Sequence, residues 1–136
     1  MNPTKAPEVN GPENPLEKSI SDAKRGLIST QQLLRLLTSS ELFILSTSEV
    51  QADGRGFVPL LFDRNGTPMA AAFSSKDRAN AYGSRAKFLV AMKGYELLRR
   101  VPPGYGVVLN PNTSYVLELT PDGIRNIIRD FGNPLR

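Results

Sequence analysis

Ser74 and Ser75 stand directly ahead of Lys76 and Arg78, where strand-like composition gives way to helical composition. Two hydroxyls, two cations and the free N–H groups of a helix start form a combination suited to holding a phosphate or a carboxylate. The simpler reading of the same residues is a helix cap, with Asp77 completing a capping box to Ser74. A second candidate is Asn110-Pro111-Asn112, first of all hairpin turn chemistry, but placed after a buried strand where partner-binding loops lie. The glycines of Pro102-Pro103-Gly104-Tyr105-Gly106 lack the Gly-Lys-Ser/Thr ending of a phosphate loop and the three-glycine spacing of a dinucleotide site. That stretch reads as a helix stop and a turn. Asp53, Asp63, Glu118 and Asp122 show no spacing that brings two carboxylates together, as a glycosidase-type hydrolase requires.

The chain of 136 residues has no histidine, cysteine or tryptophan. It therefore lacks the usual general base near neutral pH, any thiolate nucleophile, and the nitrogen and sulfur side chains that hold zinc, copper or iron–sulfur clusters. No catalytic residue, metal ligand or cofactor site is assigned, and a non-enzymatic role is expected.

The formal net charge of +4 is unevenly placed. Residues 76–100 hold Lys76, Arg78, Arg85, Lys87, Lys93, Arg99 and Arg100 against Asp77 and Glu96 alone, a local excess of five that leaves the remainder one charge negative. A solvated helical face accounts for such a run, and the functional reading is an anionic partner. Tyr82, Phe88 and Tyr95 lie among these cations, a pairing that single-strand binders use. No RNP-like, KH-like or zinc-finger signature accompanies them, and Phe88 reads as core.

These residues must be positioned by short elements. Residues 1–13, polar and rich in proline, read as a flexible tail without the layout of a signal peptide. The first helix begins at Asn14-Pro15-Leu16-Glu17, with an N-cap, a proline at the first position and a glutamate that can reach back; Gly26 closes it. A second helix starts at Ser29 with Gln32 as the reciprocal cap and Leu33, Leu34, Leu36 and Leu37 as its stripe. Strands are expected at 41–46, 57–62 and 69–73, with turns at Ala52-Asp53-Gly54 and Asn65-Gly66. A helix over 76–82, a strand over 86–91 and a helix over 93–100 follow. Strands at 106–109 and 115–119 then lead to a helix capped by Thr120, striped by Ile124, Ile127, Ile128 and Phe131 and stopped by Gly132. Hairpins mixed with helices imply an α+β fold: one domain over 14–136, with helices packed on a mixed or mostly antiparallel sheet of five to six strands.

The order of these pieces resembles the N-terminal domain of the SseB family, named for enhanced serine sensitivity. Four stretches carry the likeness: Asn14-Pro15-Leu16-Glu17; Phe57-Val58-Pro59-Leu60 through Phe73-Ser74-Ser75; Leu97-Leu98 ahead of Pro103-Gly104; and Val107-Val108-Leu109-Asn110-Pro111 running into Pro121-Asp122-Gly123-Ile124. They span about residues 14–128. Ser74-Ser75 stands where the family has Thr-Ser, which keeps both capping hydroxyls. Longer members carry a second, C-terminal domain, to which a sequence ending at Arg136 does not extend. The resemblance implies a fold and no agreed biochemical role. A sulfurtransferase activity would need a persulfide-carrying cysteine, which this chain lacks.

The expectation is therefore a cytoplasmic protein-binding module, immunity- or regulator-like, with an acidic protein as partner. Its candidate contact residues are Ser74, Ser75, Lys76, Arg78, Arg85, Lys87, Asn110 and Asn112. Nucleic acid or another polyanion, bound through residues 76–100, is the alternative. No apolar run approaches the ~20 residues of a membrane span, so no membrane partner is expected.

Overall fold

The computed structural model describes residues 12–53, 55–83 and 85–131, and among these it has five helices and six strands. Residues 1–11 of the tail expected over 1–13, the turn residue Gly54 and the helix stop Gly132 lie outside the described residues. In chain order the elements are α1 (Pro15–Lys24), α2 (Thr30–Ser39), β1 (Glu41–Ser46), β2 (Leu61–Arg64), β3 (Thr67–Ala72) and α3 (Lys76–Asn80). β4 (Phe88–Lys93), α4 (Gly94–Arg100), β5 (Gly106–Leu109), β6 (Leu117–Leu119) and α5 (Pro121–Phe131) complete the α+β arrangement.

The helix ends form as their residue types dictate. The Asn14 side chain accepts the Glu17 N–H at 2.9 Å, and Pro15 takes the first helical position, where no N–H is needed. Gly26 adopts φ +77°, so its N–H reaches the Ala23 carbonyl and that of Leu27 reaches Asp22, a Schellman closure. Ser29 and Gln32 cap α2 reciprocally, at 3.0 and 2.9 Å. The Thr120 hydroxyl oxygen accepts the Gly123 N–H at 3.0 Å at the head of α5.

Four strands form a mixed sheet in the order β2-β3-β5-β6, antiparallel except for the parallel pair β3–β5, in which Met69 faces Gly106 and Ala72 faces Leu109. Asn65 and Gly66, both at positive φ, make the β2–β3 turn. β1 and β4 form a separate antiparallel ribbon. The two sheets are stitched together where Phe43 and Phe73 exchange backbone hydrogen bonds of 2.8 Å.

Several expected boundaries move, among them β3, which runs over Thr67–Ala72 rather than 69–73, and β6, which is confined to Leu117–Leu119 rather than 115–119. The strand placed at 57–62 joins β3 only from Leu61 onward, because Pro59 has no N–H for a ladder and the chain there crosses between sheets. The Leu60 N–H donates to Leu45 of β1, while its carbonyl accepts from Ala71 of β3. The helix expected to Tyr82 ends at Asn80 and unwinds through i→i+3 turns at 81, 82 and 83. The strand expected at 86–91 runs instead over Phe88–Lys93; Ala86 is buried ahead of it, and Phe88 is half-buried opposite Ser46 rather than in the core.

Side-chain alternation sorts the core into two clusters on opposite faces of the sheet. Ala70, Ala72, Val107 and Leu109 face the larger one, filled by Leu16, Ile20, Leu33, Leu37, Leu97, Leu98, Ile124 and Ile127 from α1, α2, α4 and α5. Met69, Ala71, Phe73 and Val108 face the smaller one, covered by Ala79 of α3 and by Tyr82. The smaller cluster lies on the face that carries α3.

α4 approaches the end of α2 closely. The Gly94 N–H donates to the Ser40 carbonyl at 2.8 Å, and a Cβ at Gly94 would lie 2.1 Å from the Leu37 carbonyl oxygen. Gly94→Ala is expected to destabilise the fold by about 2 kcal/mol, since backbone must shift to relieve the clash. The loss would be read as a lower urea midpoint at unchanged slope. An unshifted midpoint would contradict the contact.

Candidate functional site

β3 and β5 are parallel neighbours, so the chain segments leaving their carboxyl ends emerge side by side. The first carries Ser74 and Ser75 into α3; the second carries Asn110. Both segments are held by a residue of α1. Glu17 is fully buried, although it lies only three positions into its helix.

Glu17 does not reach back to its own N-cap as a capping-box glutamate would. Its Oε1 accepts the N–H of Glu13, one residue earlier, at 2.9 Å. Arg78 of α3 grips the same carboxylate with two bonds, Nε to Oε2 at 2.5 Å and Nη2 to Oε1 at 2.9 Å, and the Ser74 hydroxyl donates to Oε2. Ser75, rather than Ser74, caps α3: its Oγ accepts the Arg78 N–H at 3.2 Å, and its hydroxyl donates to Glu13 at 3.3 Å. The capping box expected between Ser74 and Asp77 is absent because Ser74 is turned inward and Asp77 is exposed. Glu13, the last residue of the expected tail, is therefore tied to the site.

Asn110 completes the network from the other strand. Its Oδ1 accepts the Ser74 N–H at 3.0 Å, and its Nδ2 donates to the Ser74 Oγ at 2.9 Å and to the Tyr115 carbonyl at 3.4 Å. Its backbone sits at φ +53°, which asparagine tolerates better than most residues. The Tyr115 ring lies 5.3 Å from the Arg78 guanidinium. Among the described residues no buried side-chain polar atom lacks a partner.

Electrostatics follow from these contacts. Burial alone pushes the Glu17 carboxyl up, but hydrogen bonds from Arg78, Ser74 and the Glu13 backbone, with the charge of Arg78, outweigh it and hold the group below the usual carboxylate range. The bond to Glu17 raises Arg78 above its ordinary value against the opposing effect of burial. A hydroxyl-and-cation cradle for an anion thus exists here, and a carboxylate of the chain itself fills it.

Beside this network opens a cleft of about 550 Å³, lined by Arg78, Asn110 and Asn112 together with Glu13, Phe73, Asp77, Ala81, Tyr82, Pro111 and Thr113. A smaller cleft of about 280 Å³ lies on the far side of residues 111–113, against Phe62, Arg64, Met69 and Glu118. Tyr82 stands on the wall, 5.5 Å from Phe73 and 5.7 Å edge-on from Phe62 between ring centroids. Its hydroxyl donates to the Pro111 carbonyl at 3.3 Å and accepts from Asn112 Nδ2 at 2.9 Å.

The structure thus gathers Ser74, Ser75, Arg78, Asn110 and Asn112 around one place. Lys76, Arg85 and Lys87 are exposed and do not line the cleft; Arg85 lies over Phe62, with its guanidinium 5.3 Å from the ring centroid. Sequence reasoning missed Glu13 and Glu17 and placed Tyr82 among stacking residues. The signal for Glu17 was its position one turn before Ile20, a charge set beside the buried stripe of α1. Among the described residues no group of three carboxylates is placed to hold a metal.

The family model of the SseB protein N-terminal domain matches residues 16–126. The chain belongs to that family. No curated protein and no solved structure matches it.

Glu17→Gln leaves Arg78 buried without its counter-charge, and a loss of about 3 kcal/mol is expected near neutral pH. The folded pKa of Glu17 is depressed, so its contribution is complete above the unfolded value of about 4.3 and disappears as pH falls through the folded value. Urea melts of both proteins should therefore differ most at neutral pH and converge in acid. A gap constant across that range would exclude the assigned ion pair as its source.

Proposed function

We propose that this SseB-family domain acts without catalysis, by binding another protein whose contact surface is acidic. The observation that carries this reading is the division of the cations between residues 76 and 100. Arg78 is committed to Glu17, Lys93 donates to the Ser39 carbonyl, and Arg99 and Arg100 pair with Glu96. Lys76, Arg85 and Lys87 are exposed, and among the described residues none of the three forms an ion pair. Uncompensated cations beside a cleft favour encounter with an anionic surface and lose that advantage in salt.

A protein partner fits better than a nucleic acid. Tyr82 is wedged between Phe62 and Phe73 and hydrogen-bonded at its hydroxyl, and Tyr95 already lies against Arg99, 5.8 Å from the guanidinium. Neither ring is presented as a free stacking platform of the kind single-strand binders use. Asn112 is exposed at the cleft rim, while Ser74, Arg78 and Asn110 hold the rim in place from beneath. An immunity- or regulator-like role in the cytoplasm is the form of this activity that we favour. No helix among the described residues is long and apolar enough to cross a membrane.

Reversing two of the exposed cations, Arg85→Glu with Lys87→Glu, should leave the fold intact and weaken partner capture. The measurement is a pull-down from nuclease-treated lysate at low and moderate salt, with circular dichroism to confirm folding. A partner retained at wild-type level by the folded double variant would overturn the reading. Capture that disappears on nuclease treatment would transfer it to nucleic acid.

A further inference from the structure

The cleft beside Tyr82 carries a charge opposite to that of the surface around it. Outside it stand Lys76, Arg85 and Lys87. Inside, Glu13 and Asp77 line the cavity together with Arg78, whose own charge is already cancelled by Glu17. Glu13 has a Ser75 hydroxyl and, at 3.9 Å, the edge of the Arg78 guanidinium for company, and remains 40% exposed. Asp77 has no hydrogen-bond or ion-pair partner among the described residues. The lining therefore has two carboxylates beside a guanidinium already neutralised by Glu17, in a chain whose overall charge is +4.

The remainder of the cavity is aromatic and polar. Phe73 is all but buried, so Tyr82 supplies the ring a ligand can reach, and that ring is fixed by Phe62, Phe73, Pro111 and Asn112. Carboxylates on the wall of a cleft favour a cation, through charge-assisted hydrogen bonds. A neutral apolar group would strip water from Glu13 and Asp77 without replacing it, and an anion would be repelled.

The charges outside the cleft decide how the cation arrives. A free small cation gains nothing from Lys76, Arg85 and Lys87, whereas a chain segment with acidic flanks would be drawn by them. With about 550 Å³ in the cleft, there is space for a short stretch of backbone as well as a side chain. We infer that this cleft receives the arginine or lysine side chain of an otherwise acidic, extended segment of the partner. The inference rests on the protein-binding reading above and adds the anchor that the exposed cations alone do not specify.

Two peptides test it against the isotopically labelled protein by NMR titration: acetyl-Glu-Gly-Arg-Gly-Glu-amide, and its counterpart with glutamine in place of arginine. The arginine peptide is expected to bind at least about tenfold more tightly, with shifts centred on Tyr82, Asn112 and Thr113. In the double variant Glu13→Gln with Asp77→Asn, both exposed positions, that preference should fall below about threefold. Equal binding of the two peptides, or no binding of the arginine peptide, would overturn the inference. So would agmatine binding as tightly as the arginine peptide, because the site would then serve a free amine. The partner pull-down separates the two readings. Loss of capture with the cation reversals but not with Glu13→Gln and Asp77→Asn would sink the cleft anchor and leave the protein-binding reading standing. Capture unaffected by either set would sink both.

Discussion

The bidentate bond between Glu17 and Arg78 is the interaction on which the rest of the site depends. Glu17 has no exposed surface and the Arg78 side chain is 8% exposed, so each would be costly to bury without the other. Their pairing fixes α1, the first element of the described fold, against α3, which lies on the opposite face of the sheet. The core clusters do not make that link, because among the described residues α1 packs in the larger one and α3 in the smaller. Such a pair is weak evidence for net stability against an apolar alternative, and its clearer effect is to specify one arrangement of the two elements.

The network grows outward from that pair by satisfying what the pair leaves open. The second lone pairs of the carboxylate take the Ser74 hydroxyl and the Glu13 N–H, and Ser74 in turn is bracketed by both ends of the Asn110 amide. Asn110 thereby joins the carboxyl ends of β3 and β5, the two strands that run parallel and are buried on both faces. The ends of adjacent parallel strands are where ligand crevices open in many sheets. Here the inner part of that position is closed by the chain's own carboxylate, and the open part is displaced outward to the cleft bounded by Tyr82 and residues 111–113.

Much of this fold was legible in the sequence because the signals were local. The Ser29–Gln32 reciprocal cap, the Gly26 closure, the Asn65-Gly66 hairpin and the Ile124–Ile127 stripe each depend on residues within one turn of each other. The strand boundaries at 57–62 and 86–91 were less legible because they depend on where a neighbouring strand ends: Leu60 divides its N–H and carbonyl between two sheets. The site was half legible. Ser74, Arg78 and Asn110 stand out in the sequence for anion holding and turn formation, yet the carboxylate they gather around lies 57 residues from Ser74 in the chain. A glutamate at the third position of a helix has a sufficient local explanation as a cap, and that explanation concealed its long-range partner. The basic run from 76 to 100 read as one patch in the sequence; folding distributes it over α3, β4 and α4 and neutralises several of its members.

What the network gives the surface is rigidity at one rim of the cleft. Asn110 and Asn112 both sit at positive φ, 53° and 65°, a conformation that is uncommon outside glycine. Each is held there by its side-chain amide: that of Asn110 is buried against Ser74 and Tyr115, and that of Asn112 is bonded to the Tyr82 hydroxyl. A loop fixed in this way loses little freedom when a partner docks, so less of the contact energy goes into ordering it. Under the proposed protein-binding role, the long, solvated cations outside it would act on encounter rather than on retention. The rim locked by Asn110, Asn112 and Tyr82 would then select which segment of an anionic surface can stay.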